Sequence, residues 1–466
     1  MLRKISYLCA AAAVALAFQA QSAGARTLHV GTCKTTHNSY TTIQQAVDAA
    51  ADGDAVSICP GDYPEQVSIT KSVSLKGVPG MDAPRITIPG GGLAQNTTMA
   101  NGYAMAAQIL VAPSSVGSAN ITGLVVDAAD NNNADCNLGM TGIYYKNAGG
   151  LIRNNTVQNQ IGPDGHQGCQ VRYSILVENA TVGTGEVTIN NNRVQNFGKN
   201  GIVMQLAGAV GTISRNTVSG LGHTDLIAQN GIELAHGATA NITSNIVSGF
   251  VFTPETFGSA GIILYDLSSA VYQSPPTVQR NVVSDAQFGI VLDGVDGTVS
   301  DMVQVSKNTV SNVEWAGVGI YSETALPTAV NGDYVNVANN KITTTTIYDG
   351  IDVCGDNNTI THNTVANSTT ESAIHLDALC EQANGDPSGA ANTVSQNRIT
   401  TACIGILSGG SDGDNTIGPN KFVDVQTQTM FGSDDYTCNN AARAPRHHDK
   451  KGKALPRSAL LSPGRR

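Results

Sequence analysis

No stretch of this chain approaches the roughly 18 consecutive apolar residues that a bilayer-spanning helix needs, so no transmembrane segment is expected and the mature protein should be soluble. Cys-x-x-Cys pairs are also missing, which argues against a structural zinc site. Basic residues are scarce away from the chain ends. With 26 Lys and Arg against 36 Asp and Glu, the whole sequence carries −10. Setting aside a net +7 from Ala441 to Arg466 and +2 before Arg26 leaves residues 26–440 at −19. A body that acidic repels polyanions unless calcium or a local basic groove intervenes, and nucleic acid is not an expected partner.

Repetition is what the sequence has in abundance. An Asn, one polar or small residue and then Val, Ile or Phe recur at Asn155, Asn192, Asn216, Asn245, Asn281, Asn308, Asn340, Asn363, Asn397 and Asn420, in steps of 23 to 37 residues. Between them lies a small residue followed by alternating apolar positions, as at Gly201-Ile202, Gly231-Ile232, Gly289-Ile290 and Gly350-Ile351. Two short period-2 strands per repeat with an Asn turn predict a solenoid. Asn suits such a turn because it tolerates the left-handed backbone region, and stacked coils would join these amides in a ladder. The chain exceeds ordinary single-domain length, but a solenoid grows by repetition, so one domain over 26–440 is expected.

Before that body, residues 1–25 read as a secretory signal: Arg3 and Lys4, a short apolar run, then Ala23-Gly24-Ala25. Export makes the protein secreted or periplasmic. The eight cysteines after Cys9 then favour disulfides between chain neighbours, starting with Cys33 and Cys59. Residues 441–466, rich in Lys, Arg, Pro and His, read as a disordered basic tail. Thr42 to Ala51 shows helical spacing at Ile43, Ala46, Val47 and Ala50, a short helix suited to cover the first coil. The run from Thr42 to Ala50, followed by Gly61-Asp62-Tyr63-Pro64-Glu65, resembles the N-terminal cap of pectin-lyase-like right-handed parallel β-helix proteins, pectin methylesterases among them. That resemblance implies an all-β right-handed parallel β-helix with a short N-terminal capping helix, residues 26–80 forming the cap and first coil, and a polysaccharide as substrate class. It does not extend to activity. The signature segments of pectin methylesterases are missing. Only Tyr348-Asp349-Gly350-Ile351-Asp352 is similar to a polygalacturonase segment, and that family's two further segments are not found.

Strand parity supplies the candidate site. In Gly-Ile-x-Leu-y strands Ile and Leu point inward, so x and y point outward on coils about 4.8 Å apart. The outward set reads Gln205, Glu233, Tyr265, Asp293, Tyr321, Asp352, His375 and Asp377. Asp352, His375 and Asp377 are the candidate catalytic group, because carboxylates flanking His375 would raise its pKa and fit it as an acid. Glu233, Tyr265, Asp293 and Tyr321 are the candidate carbohydrate-binding residues, since rings stack on sugars and carboxylates bond hydroxyls. On an acidic surface the plain alternative is a solvated strand face. No cofactor is required. Calcium is the one ion considered, at Asp127 to Asp135 or Asp412-Gly413-Asp414, though neither matches the calcium-loop spacing. The expected protein is a monomer that binds or processes an extracellular polysaccharide as a lyase or hydrolase, or else a non-catalytic cell-envelope or adhesive rod.

Overall fold

A computed structural model describes residues 24–34, 39–163, 167–254, 256–322, 330–344, 349–378, 380, 389–409, 415–432 and 438. The basic tail and all but the last two residues of the expected signal segment lie outside them, as does Asp412-Gly413-Asp414.

The chain winds as a parallel β-helix. One coil runs Val187–Asn190, Arg193–Gln195 and Asn200–Gln205, and Val210–Ser214 begins the next. Each strand pairs in parallel with its equivalent one coil on, as in Val187↔Gly211, Arg193↔Thr217 and Asn200↔Asn230. The first face stacks as a 15-stranded sheet, and the other two merge into a 23-stranded one. The repeat therefore has three strands where the sequence suggests two. The extra strand follows the Asn turn and carries a single inward residue, such as Val194 or Val218, too few to show an alternation.

In-register pairing puts like on like in the core. Ile143, Ile175, Ile202, Ile232, Ile262, Ile290, Val318, Ile351 and Ile374 form one column, all fully buried. β-Branched side chains fit this stack because the strand backbone already restricts their χ1. A glycine commonly precedes the column residue because the neighbouring strand leaves no room: a Cβ at Gly261 would stand 2.3 Å from Val283 Cγ1.

The ten repeat asparagines are joined amide to amide. Asn281 donates its backbone N–H and one Nδ2 hydrogen to Asn308 Oδ1 at 2.9 and 3.0 Å, and Nδ2 also donates to Ile242 O at 2.9 Å. Its own Oδ1 accepts the same pair from Asn245. The pattern holds from Asn155 to Asn420 and satisfies these amides without water. The left-handed conformation expected of these asparagines belongs instead to the residue before nine of the ten, among them Arg215, Arg280 and Lys307 at φ 55°, 55° and 60°, the exception being Pro419 before Asn420. Asn is thus required at the turn for its amide rather than for its backbone.

At the N-terminus the helix spans Ile43–Ala49, shorter than expected because Ala50 is extended. Thr42 Oγ1 accepts from Gln45 N–H, and the Glu65 carboxylate accepts from Ile43 and Gln44 N–H at 2.8 and 2.9 Å. Glu65 of the Gly61–Glu65 segment therefore neutralises the helix N-terminus. Disulfides join Cys33–Cys59, Cys136–Cys169, Cys354–Cys380 and Cys403–Cys438, so chain neighbours pair throughout, as an oxidising compartment permits.

Replacing Asn281 by Ala strips partners from Asn245 and Ile242 in a fully buried row. The expected loss is about 3 kcal/mol of unfolding free energy, read by denaturant titration against the wild type. An unchanged midpoint would mean the row contributes nothing.

Candidate active site

On the third strand of each coil the residues around the inward Ile point out of the solenoid, and the pairing registers sort them into rows. One row runs Val203, Glu233, Ile263, Val291, Gly319, Asp352, His375 and Leu407. A second runs Lys146, Glu178, Gln205, Ala235, Tyr265, Asp293 and Tyr321, with Asp377 further along on the same parity. All eight residues expected to point outward do so. The solvated face does not follow: Asp293 and Asp352 are 0% exposed, Glu233 6%, His375 7% and Asp377 8%. The outer side of this sheet carries an apolar cluster of its own, in which Ile263, Phe288, Val291 and Trp315 enclose Tyr265 and Tyr321. Phe288 meets Trp315 edge-on at 5.1 Å and Tyr321 at 6.0 Å. These tyrosine rings pack against protein, where parity alone suggested an open sugar platform.

Three titratable groups converge at the C-terminal end of the row. His375 Nδ1 lies 3.2 Å from Asp349 Oδ2 and 3.5 Å from Asp352 Oδ1. The other oxygen of each carboxylate is held by a neighbour: Asp349 Oδ1 accepts from Ser372 N–H at 3.1 Å and from the Ser372 hydroxyl, and Asp352 Oδ2 accepts from Tyr321 OH at 2.9 Å. Each carboxylate is thereby oriented, one oxygen tied to the scaffold and the other turned to the imidazole. Such an arrangement suits proton transfer, because the base and its orienting groups are fixed before substrate arrives. Asp377 is the second carboxylate that parity places beside His375. Its side chain lies within 4.8 Å of the sulfurs of Cys354 and Cys380. Asp349 is the acid seen on His375 Nδ1, and strand parity would have set it inward with Ile351, two residues on; it reaches the outer side because the strand begins only at Ile351.

The same three side chains are the donor set suited to a cation. Ligand atoms of Asp349, Asp352 and His375 all lie within 4.8 Å of one another, and the set offers oxygen and nitrogen without thiolate or thioether, which fits a divalent ion better than a cuprous one. The expected calcium loop at Asp127 is otherwise engaged, its carboxylate receiving Arg85, Gln158, Asn159 and the Ala129 N–H.

Glu233 belongs to a separate polar centre four coils away. Its Oε2 accepts from Asn200 Nδ2 at 2.7 Å and Asn230 Nδ2 at 3.4 Å. Burial raises its pKa, with Lys199 and His236 opposing. Burial likewise pushes Lys199 down to about 8, while its Nζ donates to Ala228 O at 2.6 Å.

Residues 141–331 match the family described as right handed beta helix region, and 266–443 match that of periplasmic copper-binding protein (NosD). Among curated proteins none matches by sequence. Similar solved structures include the A-module of an Azotobacter vinelandii mannuronan C-5 epimerase, at 14% identity and TM-score 0.47 over 84% of this chain and 95% of that one. A Yersinia enterocolitica family 28 exopolygalacturonase aligns at 13% identity and TM-score 0.49, covering 90% of this chain and 80% of its own. Identities this low leave activity to be argued from the site.

A lysine held neutral more easily inside the fold than outside it weakens the fold whenever it is charged. Its folded pKa, near 8, lies below the unfolded value, so stability gained above that unfolded value is lost as pH falls toward 8. Lys199→Met is therefore expected to be more stable than the wild type at neutral pH by about 3 kcal/mol, with the gap closing as pH rises from 8 toward 10.5. Thermal unfolding of both proteins across that window checks this, and a constant gap would place the ammonium in contact with water.

Proposed function

We propose that this right-handed parallel β-helix binds and processes an extracellular polysaccharide, with Asp349, Asp352 and His375 as its acid–base centre. One observation carries the reading. Two carboxylates and an imidazole from adjacent coils meet at 3.2 and 3.5 Å, and each carboxylate is oriented by a neighbour on its other oxygen. In this reading His375 holds and delivers the proton to the leaving oxygen. Asp349 and Asp352 fix the ring, and one of them receives the proton from water or from the sugar. Glu233, Tyr265, Asp293, Tyr321 and Asp377 lie along the same face as supports of the polymer path rather than as reacting groups. Residues 1–25 direct export, and residues 26–440 form one domain that acts as a monomer.

The burial of this face favours a second reading, in which the chain is a non-catalytic envelope rod and the acid–histidine group is an internal ion-pair network. The two readings part in one experiment. The purified chain is incubated with neutral and acidic polysaccharides, with and without calcium, and new reducing ends or unsaturated products are measured. Turnover is expected on at least one polymer. Asp349→Asn and Asp352→Asn should each lower it by about a hundredfold or more while leaving the unfolding midpoint close to that of the wild type. Silence on every polymer would leave the rod, and full turnover in both variants would remove Asp349 and Asp352 from the chemistry.

A further inference from the structure

Between residues 147 and 440 the chain has ten Lys and Arg, and only Arg172 and Lys199 of these are buried. The other eight are exposed, and every one lies within two residues of a repeat asparagine. Arg215, Arg280 and Lys307 immediately precede the asparagine. Arg193, Lys341, Arg398 and Lys421 immediately follow it, and Arg153 stands two before. The asparagines are hydrogen-bonded coil to coil, so these cations share one corner of the solenoid. They occupy eight of its ten rungs, a line roughly 43 Å long at the coil spacing. In the two other rungs the flanking positions hold Ser244 and Ile246, and His362 and Thr364.

Nothing in the fold explains this line. Among the described residues the ion pairs are Arg26–Asp54, Arg85–Asp127 and three involving histidine, and none includes the eight. Asp285, the acid close in sequence to Arg280, sits at the next corner and is bonded by Asn312 and Ser284. Arg280 and Lys307 stack on successive coils at the same turn position, as Arg398 and Lys421 do one residue later. Like charges one coil apart repel, and a body of net −19 retains them in register.

We infer that this corner is a docking edge for a linear acidic polysaccharide, a polymer bearing one carboxylate per sugar. The inference rests on the polysaccharide reading and adds the charge class of the polymer. A uronate chain carries one anion per ring along a single strand, with a ring repeat close to the coil spacing, so its carboxylates can reach cations spaced along the rod. Duplex nucleic acid carries two helical files of phosphate and would bring its second strand against the acidic flanks. A membrane is a plane, which one narrow line of charge engages poorly.

The test is titration of the full chain with polygalacturonate and alginate fragments, at low salt and at about 0.5 M NaCl. A six-site variant replaces Arg215, Arg280 and Lys307 by Asn, which the left-handed positions accept, and Arg193, Lys341 and Arg398 by Gln. A second variant neutralises Lys450, Lys451, Lys453 and Arg457 in the tail. The expected result is salt-sensitive binding of the acidic polymers, weakened at least about tenfold in the six-site variant and little changed in the tail variant. If the six-site protein unfolds at a lower temperature, Arg280→Asn with Lys307→Asn alone serves, with a smaller loss expected. Wild-type affinity in the edge variants overturns the inference, as does binding of duplex DNA as tight as that of the uronates. Binding or turnover of neutral polymers alone also overturns it but leaves the polysaccharide reading standing. Loss of turnover in Asp352→Asn with unimpaired uronate binding would bear on catalysis only.

Discussion

Parallel strands in register, one coil above the next, put every side chain on top of its own equivalent. That constraint orders the whole molecule. Inside, it rewards columns of Ile and Val, because identical branched side chains pack without voids and exclude water from three sheets at once. At the turn it rewards an amide that both donates and accepts, because only then does each rung satisfy the one before it. A second, shorter chain of the same kind joins Asn358, Asn392 and Asn415, with Nδ2 donating to Gly332, Gly355 and Gly389 carbonyls. Outside, the same stacking penalises repetition of charge. The outward row accordingly interleaves Glu233 and Asp352 with Ile263, Val291 and Gly319.

Two groups of residues depart from that interleaving. Asp349, Asp352 and His375 gather on adjacent coils, with the imidazole nitrogen between one oxygen of each carboxylate. Ser372 and Tyr321 complete the group from the strands alongside. The cations at the asparagine corner lie on the opposite side of the turn and stay in solvent. The acid–histidine centre is enclosed and the basic line is open.

Much of this was legible in the residues. The period of the asparagines, the Gly-Ile pairs and the Thr42–Ala50 run specify stacked coils with a cap, and parity alone points all eight outward candidates the right way. Their pairing across the chain was legible too, since a solenoid brings only neighbouring coils together and the disulfides follow that order. The third strand was not, because one inward Val leaves no period to read.

Sequence by itself determined which residues face in and which face out, because a period of two needs no knowledge of what lies nearby. Only tertiary structure decided what the outward residues meet. Phe288 and Trp315 close over Tyr321, Asp349 reaches His375, and eight scattered cations become one line. Repeat lengths of 23 to 37 residues hide those contacts in the sequence, and the coil spacing sets them side by side.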